Sequence, residues 1–292
     1  MIFMRKKTSK TANTVAAIRA KHFLYDNPVI FNDFLAIKLT SPFWRFVCKK
    51  RWMAVLIFEY IFSDLRPVQI SVLCRARFAE DAVNEAIKNG MCNYVILGAG
   101  LDSFALRRPD VMSMIHVWEL DLADTQANKI EKIKTQKLRI PENLNFIPID
   151  FNWQDLSSKL VAEGFDFHSK SLISLLGFSY YLDKDSLSRI ILSIASSFCS
   201  GTELIVDIRV SKSLINNNYI HRYKKTERFT AIQGEKMITE FEPKEFCNYI
   251  CQCGFNLCDS VSPEEQKKRY IDVHSNSLSP SPEVYFFRFK LN

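Results

Sequence analysis

The chain lacks any apolar run long enough to cross a bilayer, which takes ~20 apolar residues in succession. Its longest, Met53-Ala-Val-Leu-Ile-Phe58, is broken by Glu59 before Tyr60-Ile-Phe62. This excludes a spanning helix and leaves a core or lid helix. With Lys49-Lys-Arg51 just before it, a helix lying in a membrane interface is the remaining alternative. The basic start, Met1-Ile-Phe-Met-Arg-Lys-Lys7, has no apolar stretch after it, so a secretory leader is not expected. Eight cysteines are present, four of them crowded at Cys247, Cys251, Cys253 and Cys258, yet there is no Cys-x-x-Cys knuckle and no His close by. That spacing argues against zinc and for buried, inert thiols in a reducing cytosol. Internal repeats and low-complexity segments are also missing.

What is present fits an ordinary globular protein. The 292 residues are 47% hydrophobic and 24% charged, enough for one large domain or two small ones with a core that needs no staples. The net charge of +7 is spread along the chain, so acidic partners are permitted but not demanded.

Residues 1 to about 12 are basic and polar and are expected to be mobile. The chain up to 90 reads as helical: a helix starts over 14–20 with Thr14 as its cap, and another covers 71–88, where Val72, Phe78, Val83 and Ile87 recur in helical fashion before Asn89-Gly90 stops it. From Asn93 strands and helices alternate. Strands are expected over 94–97, 115–120, 144–149, 172–176 and 203–208. Helices fall over 122–137, over about 154–163, and from a cap at Asp183 or Asp185 to Ser200-Gly201. Such alternation means a parallel sheet with helices on both faces. A polar, basic insertion follows at about 211–240, then a helix opened by Pro243 and ended by Gly254. Strands over 255–261 and 284–289, joined by a loop without a helix, are expected to form a hairpin that adds an antiparallel strand.

In such a sheet ligands sit beyond the carboxyl ends of the strands. Four polar features fall there: Gly98-Ala-Gly100, Asp121, Asp150 and the segment after the fourth strand. The glycines let the backbone turn tightly and approach a ligand closely. Asp121 can accept hydrogen bonds from both hydroxyls of a ribose, and Asp150 can accept from an adenine amino group with Phe151 against the ring. A dinucleotide would need Gly-x-Gly-x-x-Gly and a helix start open to pyrophosphate. Here Ser103 stands at the third glycine and Asp102 brings a negative charge. Both suit S-adenosylmethionine, which has no phosphate and carries an ammonium and a sulfonium.

Val95-Ile-Leu-Gly-Ala-Gly-Leu-Asp-Ser103 followed by Trp118-Glu-Leu-Asp-Leu122 resembles the leucine carboxyl methyltransferase family, and most closely its bacterial branch of S-adenosylmethionine-dependent methyltransferases. Further pieces agree in order: Thr11-Ala12, Val15-Ala16 and Arg19-Ala20; Phe31-Asn-Asp-Phe-Leu-Ala36; Arg75-Ala-Arg-Phe-Ala-Glu-Asp81; Pro148-Ile-Asp-Phe151; and Gly177-Phe-Ser-Tyr-Tyr-Leu182. The likeness covers about residues 11–210. It implies a class I methyltransferase, Rossmann-like α/β fold with a seven-stranded, mostly parallel sheet. Residues 1–90 would form a helical lid and 91–292 the core. It also implies that S-adenosyl-L-methionine is held by Arg75, Gly98, Gly100, Asp121, Asp150 and Phe151, with Arg75 on the methionine carboxylate. Glu119, with one residue between it and Asp121, is expected on the other side of the strand and is not counted in the site.

One position departs from the family pattern: Leu176 stands where a Glu precedes the glycine of the strand-four motif. That puts carboxyl methylation in question more than cofactor binding. The expected reaction is O-methylation of a carboxylate or hydroxyl on a small molecule or protein C-terminus. No His stands in a motif beside the pocket, so no catalytic base is assigned; Tyr180 or Tyr181 can shape the chamber. A nucleic-acid methyltransferase is disfavoured because no Asn/Asp-Pro-Pro-aromatic motif follows the fourth strand. A catalytically impaired cofactor-binding or membrane-associated protein is the rival from another class.

Overall fold

The structure, a computed structural model, describes residues 9–274 and 278–292. Seven strands form one sheet: β1 (Asn93–Leu97), β2 (His116–Asp121), β3 (Leu144–Pro148), β4 (Ser171–Leu175), β5 (Glu203–Arg209), β6 (Phe255–Val261) and β7 (Val284–Leu291). Their order is β3-β2-β1-β4-β5-β7-β6. The first five pair in parallel, and β7 runs antiparallel between β5 and β6. Every residue of β1, β4 and β5 is buried, as expected where helices cover both faces. Along β1 the side chains alternate between two cores. Tyr94 and Ile96 join the one beneath the N-terminal helices, and Val95 and Leu97 join the one beneath the helices on the other face.

Two helices before the sheet position groups at the carboxyl ends of its strands. Lys10–Tyr25 is capped by Ser9, whose hydroxyl accepts from the Ala12 amide. Thr14 is therefore not the cap; it lies inside the helix and its hydroxyl donates to the Lys10 carbonyl. Arg66–Lys88 opens with Pro67 in its first turn and runs 23 residues. The mobile start expected over 1–12 lies outside the described residues up to position 8, and residues 10–12 are helical.

Three other expectations need correction. β6 and β7 are antiparallel neighbours but not a simple hairpin, because the helix Pro263–Tyr270 lies between them. That helix has Ser262 as cap and acids first, bases last, but no apolar stripe, so hydrophobic periodicity does not announce it. The stretch 53–62, expected as a core or lid helix, is helical but buried on one side only. Arg51–Val55 passes into wider π-helical turns over Leu56–Ile61, burying Ala54 and Phe58 and exposing Trp52, Leu56, Tyr60 and Ile61. Nor are the thiols uniformly buried: Cys48 and Cys74 are, but Cys92 and Cys258 are exposed, the latter on the edge strand β6.

Candidate active site

The strand registers bring the candidate residues to one edge. Leu97 pairs with Leu120, so the Gly98-Ala-Gly100 turn lies beside Asp121, and Asp121 pairs with Pro148, which brings Asp150 next along. Gly98 and Gly100 have φ of +70° and +53°. A Cβ at Gly98 would come within 2.7 Å of the Phe178 ring, so glycine is required there on two counts. All six candidates, Arg75, Gly98, Gly100, Asp121, Asp150 and Phe151, line one cavity of about 510 Å³, a size suited to a cofactor.

Asp121 is held by the turn it faces. One carboxylate oxygen accepts from the Gly100 amide at 2.6 Å and the other from Leu122 at 2.7 Å. Each oxygen keeps a lone pair for a ligand hydroxyl. Burial pushes the carboxyl up to about 6, against the opposing pull of those two amides. Asp150 is shaped by a local turn in which Oδ1 accepts from the amide and the side chain of Asn152. Phe151 is buried, with its ring 5.1 Å from that of Phe178. Asp102 accepts from the Phe104 amide at 2.6 Å, at the start of a helix only four residues long, Phe104–Arg107. A carboxylate thus occupies the place a pyrophosphate would need. Glu119, two residues before Asp121, lies on the same side of β2, against expectation; it is kept out of the cavity because it is buried against Lys129, and burial pushes it up to about 7.

Arg75 reaches the cavity from the helix Arg66–Lys88, on the face that also presents Val72, Ala76 and Ala79. Its Nη1 donates to Asp207 at 2.9 Å and to the Tyr180 hydroxyl at 3.1 Å. Asp207 is fully buried in β5 and also accepts from the Gly177 amide at 2.6 Å. The guanidinium lies against Gly177, where a Cβ would meet Cζ and both terminal nitrogens at 2.7 Å. Burial and the two neighbours act on Tyr180, whose hydroxyl is pushed up to about 12 and stays protonated. Asp207 is the residue that sequence reasoning missed. Its signal was a lone carboxylate within Leu204-Ile-Val-Asp-Ile208, a run otherwise apolar. Leu176 follows β4 directly, lines the cavity and packs on the core beneath the N-terminal helices.

The N-terminal helix closes over the turn. Arg19 donates to the Leu101 carbonyl at 2.7 Å and pairs with the buried Asp33 at 2.8 Å. Ala12 lies 3.3 Å from where a Cβ on Gly100 would stand. Lys132, beyond β2, donates to Asn13 at 2.9 Å. From the insertion, Gln233 to Lys236 line the same cavity. A second chamber of about 100 Å³ adjoins it, sharing Thr11, Val15, Val72, Arg75, Gly177 and Tyr181. Its remaining wall is mostly apolar, with Phe58, Phe62, Leu65, Val68, Phe229 and Met237.

The residue pattern of the leucine carboxyl methyltransferase family matches residues 12–195. The chain belongs to that family. It is 28% identical, over 97% of its length and 98% of the relative's, to a Bacillus subtilis protein named "Putative S-adenosyl-L-methionine-dependent methyltransferase YktD". Two solved structures share its fold. One is a "putative methyltransferase" of Thermobifida fusca, at a TM-score of 0.62 and 14% identity, covering 98% of this chain and 96% of that one. The other is a duf574 family protein of Streptomyces avermitilis, at 0.62 and 10%, covering 98% and 99%. This chain and these two structures therefore share one architecture, the class I methyltransferase fold with its mixed seven-stranded sheet.

Proposed function

We propose that the protein transfers a methyl group from S-adenosylmethionine to an oxygen, carboxylate or hydroxyl, of an acceptor with an apolar body. The observation that carries the donor is the arrangement of carboxylates around the glycine turn. Asp121 and Asp150 offer acceptors for a nucleoside, while Asp102 caps the helix start beside the turn that could have received phosphate. Similarity over nearly the whole chain to a protein named as a methyltransferase supports the same donor.

In this reading Asp121 takes the ribose hydroxyls, Asp150 and Phe151 border the adenine, and Gly98 and Gly100 let the backbone come close. Arg75 meets the methionine carboxylate, held in place by Asp207. Bound there, S-adenosylmethionine supplies a methyl carbon already activated by a positive sulfur. The chain's own contribution is alignment and exclusion of water. The apolar chamber beyond Arg75 and Tyr181 seats the acceptor's body and brings its oxygen to the junction of the two cavities. A carboxylate acceptor needs no base; for a hydroxyl, the protonated Tyr180 can orient the oxygen, whose proton is released to water as the methyl arrives. The helices before β1 serve as the lid and the 211–240 insertion as the selector, since Ala12 and Gln233 border the cavity from these two sides. The eight unpaired thiols suit a reducing compartment such as the cytosol.

The test is transfer of label from methyl-tritiated S-adenosylmethionine to aliphatic carboxylic acids and alcohols of graded length. Label released by alkali as volatile methanol marks a carboxylate ester, and alkali-stable label in the organic phase marks an ether. Label found only on nitrogen acceptors, or none on any acid or alcohol by protein that binds the cofactor, would count against O-methylation.

A further inference from the structure

We propose that segment 42–62 docks the protein on an anionic lipid surface. The segment folds as the helices Pro42–Lys49 and Arg51–Val55, continuing into the wide turns of Leu56–Ile61. Its inner side is satisfied: Val47, Cys48, Ala54 and Phe58 are fully buried. Its outer side is not. Phe43, Phe46, Trp52, Tyr60 and Ile61 are each more than half exposed, at 62%, 56%, 68%, 70% and 56%. Trp52, Leu56 and Tyr60 stand four apart and share one helical face, while Ala54, Phe58 and Phe62 share another. A helical run apolar on two faces belongs where both are covered. Single exposed apolar side chains need no explanation, but a contiguous set marks an interaction surface.

Charge decides what covers it. Lys49, Lys50 and Arg51 are exposed and sit between the two aromatic groups. The only acid in the segment, Glu59, is already engaged by Lys21 at 2.7 Å and Arg66 at 3.4 Å. An acid-free basic run beside exposed Trp, Tyr and Phe is what an anionic leaflet attracts. The rings sit at the headgroup level, and the lysine stems lie along them with their ammonium groups at the phosphates. A second copy is the poorer occupant, because a two-fold contact would set the same three cations against each other. No helix among the described residues is long and apolar enough to cross a membrane, so the contact is a surface one. The inner residues Phe58 and Phe62 also line the apolar chamber, which places that chamber directly behind the docking face. Lipid docking is independent of methyl transfer, and the test reads lipid binding alone.

The test is co-sedimentation of the full chain with large vesicles of phosphatidylcholine alone and of phosphatidylcholine with phosphatidylglycerol as the minor component. Binding is expected to the anionic vesicles and to fall with salt. Combined Lys49→Glu, Lys50→Glu and Arg51→Glu should weaken it at least ~tenfold, and combined Phe46→Ser and Trp52→Ser by a similar factor. All five replaced side chains are exposed, so both variants should melt with the wild type. No binding to anionic vesicles overturns the proposal, as does binding that survives both sets of changes. A dimer in sedimentation velocity that the Phe46→Ser, Trp52→Ser pair dissolves, without vesicle binding, identifies a second copy as the occupant and also overturns it.

Discussion

The carboxylate of Asp207 accepts from Arg75 Nη1 at 2.9 Å and from the Gly177 amide at 2.6 Å, so one buried group in β5 fixes both the arginine and the loop after β4. Breaking such a pair from one side leaves a charge without its partner. Asp207→Ala should therefore lower stability by about 3 kcal/mol in urea unfolding, with little change in m value. S-adenosylmethionine affinity should fall with it, because Arg75 loses its orientation.

Gly177→Ala separates position from stability. The new Cβ would stand 2.7 Å from the guanidinium of Arg75, a flexible side chain that can move aside, and φ is +71°. The expected stability loss is modest, on the order of 1–2 kcal/mol for the strained backbone. The cofactor dissociation constant should rise about tenfold or more, since the displaced arginine would no longer meet the carboxylate it is proposed to hold. Calorimetric titration beside a thermal melt checks both numbers.

The role proposed for Asp121 predicts that cofactor binding depends on pH. Its carboxyl titrates at about 6, above the ordinary range, because it is buried. Above that value it is ionised and, in its proposed role, would accept two ribose hydroxyls; below it, protonation removes acceptor capacity. Affinity for S-adenosylhomocysteine should fall between pH 7 and pH 5. The linkage to folding has the opposite sign. A folded-state value raised above the unfolded one means that the folded protein takes up the proton first, so this group's contribution to stability improves as pH falls through about 6. Asp121→Asn should flatten both responses, and titrations and melts at matched pH would show whether it does.

Arg19 ties the N-terminal helix to the turn after Gly100 through the Leu101 carbonyl and the buried Asp33. Arg19→Ala leaves Asp33 with the Ala36 amide at 2.9 Å and, as its charged partner among the described residues, Arg107 at 3.6 Å. A stability loss of about 3 kcal/mol in chemical denaturation is expected. Limited proteolysis should then cut within residues 10–25 sooner than in the wild type.

The site was legible where chemistry and topology coincide. A parallel sheet puts strand ends on one edge, so Gly98, Asp121 and Asp150 could be brought together from their places after three apolar runs, and the structure does set them around one cavity. Arg75 depended on family resemblance, since nothing in its own helix distinguishes it from a surface arginine. Asp207 stayed hidden because a single acid inside a strand does not reveal which neighbour it pairs with; the register Leu175 to Val206 brings it beside Gly177, and the helix Arg66–Lys88 brings Arg75 to it. The helix Pro263–Tyr270 was missed for want of an apolar stripe, and the apolar run over 53–62 does not tell which of its faces is covered.

The most direct measurement is calorimetric titration of the purified protein with S-adenosylhomocysteine, S-adenosylmethionine and NAD. One site is expected for each of the first two and none for NAD, with Asp121→Ala weakening binding by at least ~tenfold through loss of a charged acceptor. Binding of NAD instead, or of neither methyl-donor ligand by folded wild-type protein, would contradict the assignment of this cavity to S-adenosylmethionine.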